Sequence, residues 1–217
     1  PSQIWRGTEW YEYMGAAITV CDFNGDGLED LAVGAERAED ESVSPVKGDQ
    51  GAVFIYWGTD DGFSEEIGQH LFGKVLSDGG DWVPASKLYF GNTMASGDFD
   101  GDGVCDLVAG ANTYQGSSGY LLLFKGVLGE GLTELPVAAW AGNLPEKANT
   151  RLGWGLEMHD INQDGKSDIV TSQYERDVEG ANEAGALRIF LGKEISEDPV
   201  FSFESPDTAD WTVTGKN

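Results

Sequence analysis

Three stretches, DFNGDGLED (Asp22–Asp30), DFDGDGVCD (Asp98–Asp106) and DINQDGKSD (Asp160–Asp168), share one nine-residue pattern. Each puts an oxygen-bearing side chain at positions 1, 3, 5 and 9, with glycine at position 6, and runs directly into β-forming residues: LAVGA, LVAGA and IVTS. Three or four carboxylates in nine residues repel one another unless a cation lies between them. A hard divalent ion that accepts six to eight oxygens meets that need, and Ca²⁺ fits best. The predicted ligands are Asp22, Asn24, Asp26, Asp30 and the Leu28 carbonyl in the first loop. In the second they are Asp98, Asp100, Asp102, Asp106 and the Val104 carbonyl, and in the third Asp160, Asn162, Asp164, Asp168 and the Lys166 carbonyl. Three Ca²⁺ sites are therefore expected. With four aspartates, loop two is expected to bind most tightly.

Ordinary Asp-Gly hairpin turns with solvated acids are the plain alternative. Threefold repetition in one context weighs against it. An EF-hand requires a bidentate glutamate at position 12, where this chain has Val33, Ala109 and Thr171. It also requires a following helix, whereas these loops lead into short Val/Leu/Ile runs, so each loop joins two strands.

The chain carries 13 basic and 38 acidic residues, a net charge of −25, and ten of the acids are aspartates of the three loops. Three Ca²⁺ ions would add only six positive charges, so the surface stays acidic when loaded. That excludes nucleic acid and anionic membranes as partners. No apolar run approaches the roughly 20 residues of a membrane helix, so no membrane insertion is expected. Pro1 is not preceded by a basic or apolar leader, and any signal peptide is expected to have been removed. Cys21 lies just before loop one and Cys105 at position 8 of loop two, two non-equivalent places in the repeat. A disulfide between them is not expected. Weak multi-carboxylate sites suit an extracellular setting, where calcium is millimolar.

Around each loop the β pattern repeats. The first unit reads YMGAAITV (Tyr13–Val20), loop, LAVGA (Leu31–Ala35), an acidic connection Glu36–Gln50, GAVFIYWG (Gly51–Gly58) and GQHLFGKVL (Gly68–Leu76). The second reads LYFGNTMASG, loop, LVAGA, GYLLLFKG and LPVAAWAG. The third reads RLGWGLEMH, loop, IVTSQ, GALRIFLG and a tail, PVFSFESP to WTVTG, as its last strand. Helical periodicity is absent. Four short strands per unit, with apolar faces that need neighbours, predict an all-β fold of β-propeller blades. Three blades are expected over residues 11–77, 88–142 and 150–214, with 1–10 as the outer strand of a preceding blade. Three blades cannot close a ring, so further blades of a longer chain, or a second copy in a homo-oligomer, are expected to complete it.

The units resemble FG-GAP repeats, the blades of the integrin α-subunit β-propeller and its bacterial relatives. The Phe-Gly element corresponds to Met14-Gly15, Phe90-Gly91 and Leu152-Gly153. The Gly-Ala-Pro element corresponds to Gly34-Ala35-Glu36 and Gly110-Ala111-Asn112, both without the proline, and has decayed to Ser172-Gln173-Tyr174 in the third unit. The resemblance implies calcium in the hairpin between strands one and two of each blade, away from the ligand-binding face.

Neither His70 nor His159 lies in a nucleophile motif, and no Gly-rich phosphate loop is present. The expected function is a non-enzymatic, calcium-stabilised extracellular module for adhesion or for binding a protein or glycan. The alternatives are the propeller domain of a calcium-dependent polysaccharide lyase or phospholipase-type enzyme, or a purely structural scaffold. Trp57, Trp140 and Trp154 are expected to pack between blades. Trp10, Tyr11, Tyr13 and Trp82 fall in or near connections opposite the calcium loops, where an aromatic cluster would bind a sugar or peptide.

Overall fold

A computed structural model describes residues 12–77, 79–114, 118–142, 150–177, 183–195, 203–204 and 211–214, together with Ile4 and Arg6. Its strands, in order, are β1 (Met14–Cys21), β2 (Asp30–Ala35), β3 (Ala52–Tyr56), β4 (Gly58–Thr59), β5 (Gly62–Phe63), β6 (Gln69–Phe72), β7 (Lys74–Leu76) and β8 (Trp82–Pro84). Next come β9 (Thr93–Gly97), β10 (Asp106–Gly110), β11 (Tyr120–Phe124), β12 (Gly126–Val127), β13 (Gly131–Leu132) and β14 (Ala138–Ala141). The last are β15 (Leu152–His159), β16 (Asp168–Gln173), β17 (Ala186–Phe190), β18 (Phe203–Glu204) and β19 (Trp211–Thr214).

Three larger sheets result, in the orders β1-β2-β3-β6, β9-β10-β11-β14-β18 and β15-β16-β17-β19, beside the two-stranded pairs β4-β5, β7-β8 and β12-β13. All pairings within them are antiparallel except that of β18, which runs parallel to β14. The sheets resemble propeller-blade units, and among the described residues they do not close into a ring. The first strands neighbour one another, β9 lying beside both β1 and β15, and Thr19 Oγ1 meets Ser96 Oγ at 2.7 Å between β1 and β9. The stretch GQHLFGKVL is not one strand. It breaks at Gly73, whose N–H bonds the Gly51 carbonyl at 2.9 Å, and its second half pairs with β8 in a separate hairpin. The expected outer strand at residues 1–10 lies outside the described residues, apart from Ile4 and Arg6.

Central strands of the second sheet are apolar on both faces because a sheet covers each face. Ala32, Val53, Ile55 and Leu71 of the first sheet meet Leu107, Ala109, Leu122 and Phe124 of the second. Val108, Leu121, Leu123 and Trp140, on the opposite face of the second sheet, meet Leu156, Met158, Ile169 and Phe190 of the third. Trp140 stacks on Phe190 with centroids 4.9 Å apart. Burial of such side chains stabilises the stack by about 1.5–3 kcal/mol each.

The backbones also touch where sheets meet. Gly51 pairs with Phe90, and Gly119 with Leu152, in isolated parallel bridges. Gly51 has φ +82°, and a Cβ there would lie 2.3 Å from the Phe90 backbone, so only glycine allows the approach. Thus the Phe-Gly element of one unit is anchored on the strand-three entry of the unit before it.

Candidate metal centre

The hairpins β1–β2, β9–β10 and β15–β16 carry the three acidic loops at one end of their sheets. All three fold alike because their own side chains bond the turn. The position-1 carboxylate accepts the N–H groups of positions 5 and 6: Asp22 from Asp26 and Gly27, Asp98 from Asp102 and Gly103, Asp160 from Asp164 and Gly165, at 2.8–3.1 Å. The position-3 oxygen accepts the position-5 N–H, and the position-5 carboxylate accepts the N–H of Leu28, Val104 or Lys166. These are Asx-type turns, which fix the loop without a long-range partner.

The position-9 aspartate does more. Asp30, Asp106 and Asp168 are fully buried. One oxygen of each takes the N–H of position 2 in its own loop, from Phe23, Phe99 and Ile161 at 2.8–3.0 Å. The other takes the N–H of Gly58, Gly126 or Gly192, just past strand three, at 2.7–2.9 Å. Each acid thereby ties the hairpin to the third strand of its sheet. A Cβ on Gly126 would sit 2.2 Å from the Cys105 carbonyl, which explains the glycine. Burial pushes the Asp106 carboxyl up to about 7, against the hydrogen bonds from Gly126 and Phe99, with the Asp100 charge adding to the rise. Asp30 is raised in the same way, first by burial.

In loop two, carboxylate oxygens of Asp98, Asp100 and Asp106 lie within 4.8 Å of one another. Oxygens on one Ca²⁺ at 2.3–2.6 Å are separated by no more than about twice that distance, so the trio fits a single hard cation. Among the described residues this is the one such grouping of three acids, so one assembled carboxylate cluster stands where three sites were expected. Loops one and three have asparagine at position 3, and their acids do not converge to that spacing. Asp22, Asn24, Asp26 and Asp160, Asn162, Asp164 keep the same turn hydrogen bonds.

Sequence reading missed Lys125. It follows β11 and its ammonium pairs with Asp100 and, at 2.7 Å, with Asp102. The Asp102 carboxyl is lowered: burial raises it, but the Lys125 hydrogen bond, the Val104 N–H and the Lys125 charge outweigh that. Burial pulls the Lys125 ammonium down, yet the two carboxylates push it up to about 12.

Cys21 and Cys105 form a disulfide with Cα atoms 6.0 Å apart, contrary to the sequence expectation. Their non-equivalence in the repeat is the reason they meet. Adjacent loops are staggered, so that the residue before one loop faces position 8 of the next. The Cys105 N–H bonds the Asp22 carbonyl at 3.1 Å, and Ser167 N–H bonds the Asp98 carbonyl at 2.7 Å. At the second junction the counterparts of the cysteines are Gly97 and Ser167, and a Cβ on Gly97 would touch the Ser167 hydroxyl.

Of the aromatic candidates, Trp10 and Tyr11 lie outside the described residues. Tyr13 is exposed and stacks under the Arg37 guanidinium at 4.6 Å from the ring centre. Trp82 is half-buried against the core between the first two sheets. Trp154 does not pack between sheets as expected. It is 51 % exposed, beside Tyr174 at 5.0 Å and Arg151 at 5.2 Å. His70 lies edge-on to Phe54 and Phe72, and His159 is exposed opposite Asp168 at the end of β15.

Comparison with known proteins fits this repeat geometry. The FG-GAP repeat model matches residues 14–56 and 90–124. Those two stretches are thus similar to FG-GAP repeats. Human integrin alpha-IIb is 30 % identical over 189 residues, covering 84 % of this chain and 16 % of that protein. Human phosphatidylinositol-glycan-specific phospholipase D is 27 % identical over 214 residues, covering 95 % of this chain and 24 % of that protein. In solved structures, rhamnogalacturonan lyase YesW superposes with a TM-score of 0.48 at 14 % identity, over 91 % of this chain and 33 % of that one. The chain is thus related at low identity to integrin α-subunits and spans less than a quarter of either curated relative named here. The expectation of a non-enzymatic protein does not stand: a phospholipase D aligns along nearly the whole chain, further than the integrin does.

Proposed function

We propose that the chain is a Ca²⁺-stabilised propeller segment of a secreted phospholipase- or polysaccharide-lyase-type enzyme. The convergence of Asp98, Asp100 and Asp106 on one cation-sized space carries the calcium part. The identical turn bonding of loops one and three extends it to three sites, with Asn24 and Asn162 contributing a neutral oxygen in place of Asp100. When bound, the ion supplies charge neutralisation and fixes each hairpin, so that metal binding adds to folding stability. The loops do the rest themselves: position 1 orders the turn, and position 9 fastens it to strand three. The phospholipase relative's span of 95 % of the chain favours the enzyme over adhesion as the parent's role.

A second role, ligand binding by an adhesion-type protein, is supported by the integrin relatives and by the exposed Tyr13–Arg37 and Trp154–Tyr174–Arg151 groups. An extracellular location is supported by the Cys21–Cys105 disulfide, a bond that persists in oxidising compartments. Among the described residues no helix is long and apolar enough to cross a membrane.

Calorimetry with Ca²⁺ and Mg²⁺ tests the metal assignment: heat from Ca²⁺ and a melting temperature that falls in EDTA are expected, and an unchanged melt would refute it. Release of a phosphatidylinositol-glycan anchor or cleavage of an acidic polysaccharide by the parent protein tests the enzyme. Glycan-array and matrix binding without turnover would favour adhesion.

A further inference from the structure

In loops one and three the position-3 asparagine donates its side-chain N–H to the position-5 carboxylate, Asn24 to Asp26 at 3.1 Å and Asn162 to Asp164 at 2.9 Å. Loop two has Asp100 at that place, which as a carboxylate has no proton to give. Lys125 supplies the missing donor. Its ammonium reaches Asp102, the position-5 acid, and Asp100 itself. The same place after strand three is held by Trp57 in the first sheet and Leu191 in the third, neither of which carries a charge. Loops one and three thus hold three ligand carboxylates each, whereas loop two holds four and one ammonium. Counting only the ligand side chains and Lys125, and leaving out Glu29 of loop one and the Lys166 side chain of loop three, the net charge is the same in all three.

We propose that Lys125 is a resident counter-cation of loop two that competes with the divalent ion for Asp100 and Asp102. This role rests on the calcium reading of the loops. The ammonium neutralises the extra acid when metal is scarce, so loop two keeps its shape without an ion. To bind Ca²⁺ through Asp100, the loop must release the ammonium, and the attraction lost in doing so weakens the site. The ranking by carboxylate count is therefore reversed: loop two fills last, not first. Lys125 is a tuning residue, not a ligand, because an ammonium has no lone pair to offer.

The amides of Gly27, Gly103 and Gly165, each at position 6, report the three loops separately in ¹⁵N–¹H spectra during a Ca²⁺ titration. In the native chain Gly103 should have the highest midpoint. In Lys125→Met, which keeps most of the apolar stem, the Gly103 midpoint should fall about ten-fold or more while Gly27 and Gly165 stay fixed, which also shows that the variant folds. Lys125→Arg should keep the native order. A Gly103 midpoint that is unchanged or higher in Lys125→Met overturns the competition but leaves the calcium sites standing. If no glycine responds in any of these proteins, the calcium reading fails and the competition with it. Melts in EDTA give a second readout: Lys125→Met should melt below the native chain, and adding Asp100→Asn should restore the loss by rebuilding the bonding of the other loops. A Lys125→Met protein that melts at or above the native temperature in EDTA overturns the counter-cation role.

Discussion

Asp106 shows how one side chain serves two demands. As a brace it accepts the Phe99 and Gly126 N–H groups, and it also holds a carboxylate oxygen within 4.8 Å of those of Asp98 and Asp100, a spacing that fits a cation. Asp106→Asn should cost about 1–3 kcal/mol in a urea titration, because its amide nitrogen would confront a backbone donor and leave one buried N–H unpaired. Ca²⁺ affinity at Gly103 should fall with it. The raised carboxyl also gives a pH dependence to the metal-free protein. Its unfolded value is 3.8 and its folded value about 7. Between them the native state holds a proton that the unfolded chain has lost, so this group's contribution declines as pH rises from about 4 and levels off above about 7. In EDTA, urea midpoints should therefore drop between pH 5 and pH 7.5, and Asp106→Asn should flatten that drop. The turn of this loop was legible because backbone geometry and side-chain spacing alone build an Asx turn. Lys125 was not, since it comes from 19 residues beyond Asp106 and reaches the loop only through sheet register.

Strands were legible wherever burial on both faces produced an unbroken apolar run, as in LAVGA, AVFIY and YLLLF. The two-residue pairs β4–β5 and β12–β13 carry no such signal, and β18, in the tail expected to supply the last strand of the third unit, instead joins the second sheet. They exist because the neighbouring backbone offers partners. Junctions between sheets were the least legible, since the stagger that joins Cys21 to Cys105 belongs to no single repeat. Closing a loop of 84 residues by a disulfide stabilises a fold by about 4–5 kcal/mol in the chain-entropy picture. Cys21→Ser with Cys105→Ser should lower the denaturation midpoint accordingly, and reduction of the native chain should reproduce the shift. Gly51→Ala tests the other fastening. With φ at +82° and the Phe90 backbone in the way, it should cost more than about 2 kcal/mol by the same measurement.

At the scale of the molecule, the row of loops along one end and the row of first strands β1, β9 and β15 give the array its direction. Leu187 on the third sheet is 46 % exposed, whereas its register counterpart in the second, Leu121, is fully buried under that third sheet. A further sheet seated there should protect it, and light scattering in Ca²⁺ should distinguish a completed assembly of two copies from a monomer. Chelation should lower the melting temperature of the whole array, because each loop fastens a hairpin to the third strand of its own sheet. The two junctions differ in one respect: the first is covalent, the second a glycine against a serine. Stretched between its ends, the array should therefore tear from its C-terminal side. The chain between Cys21 and Cys105 would add nothing to the extension until reductant is present, so under tension only residues 1–20 and 106–217 could pay out.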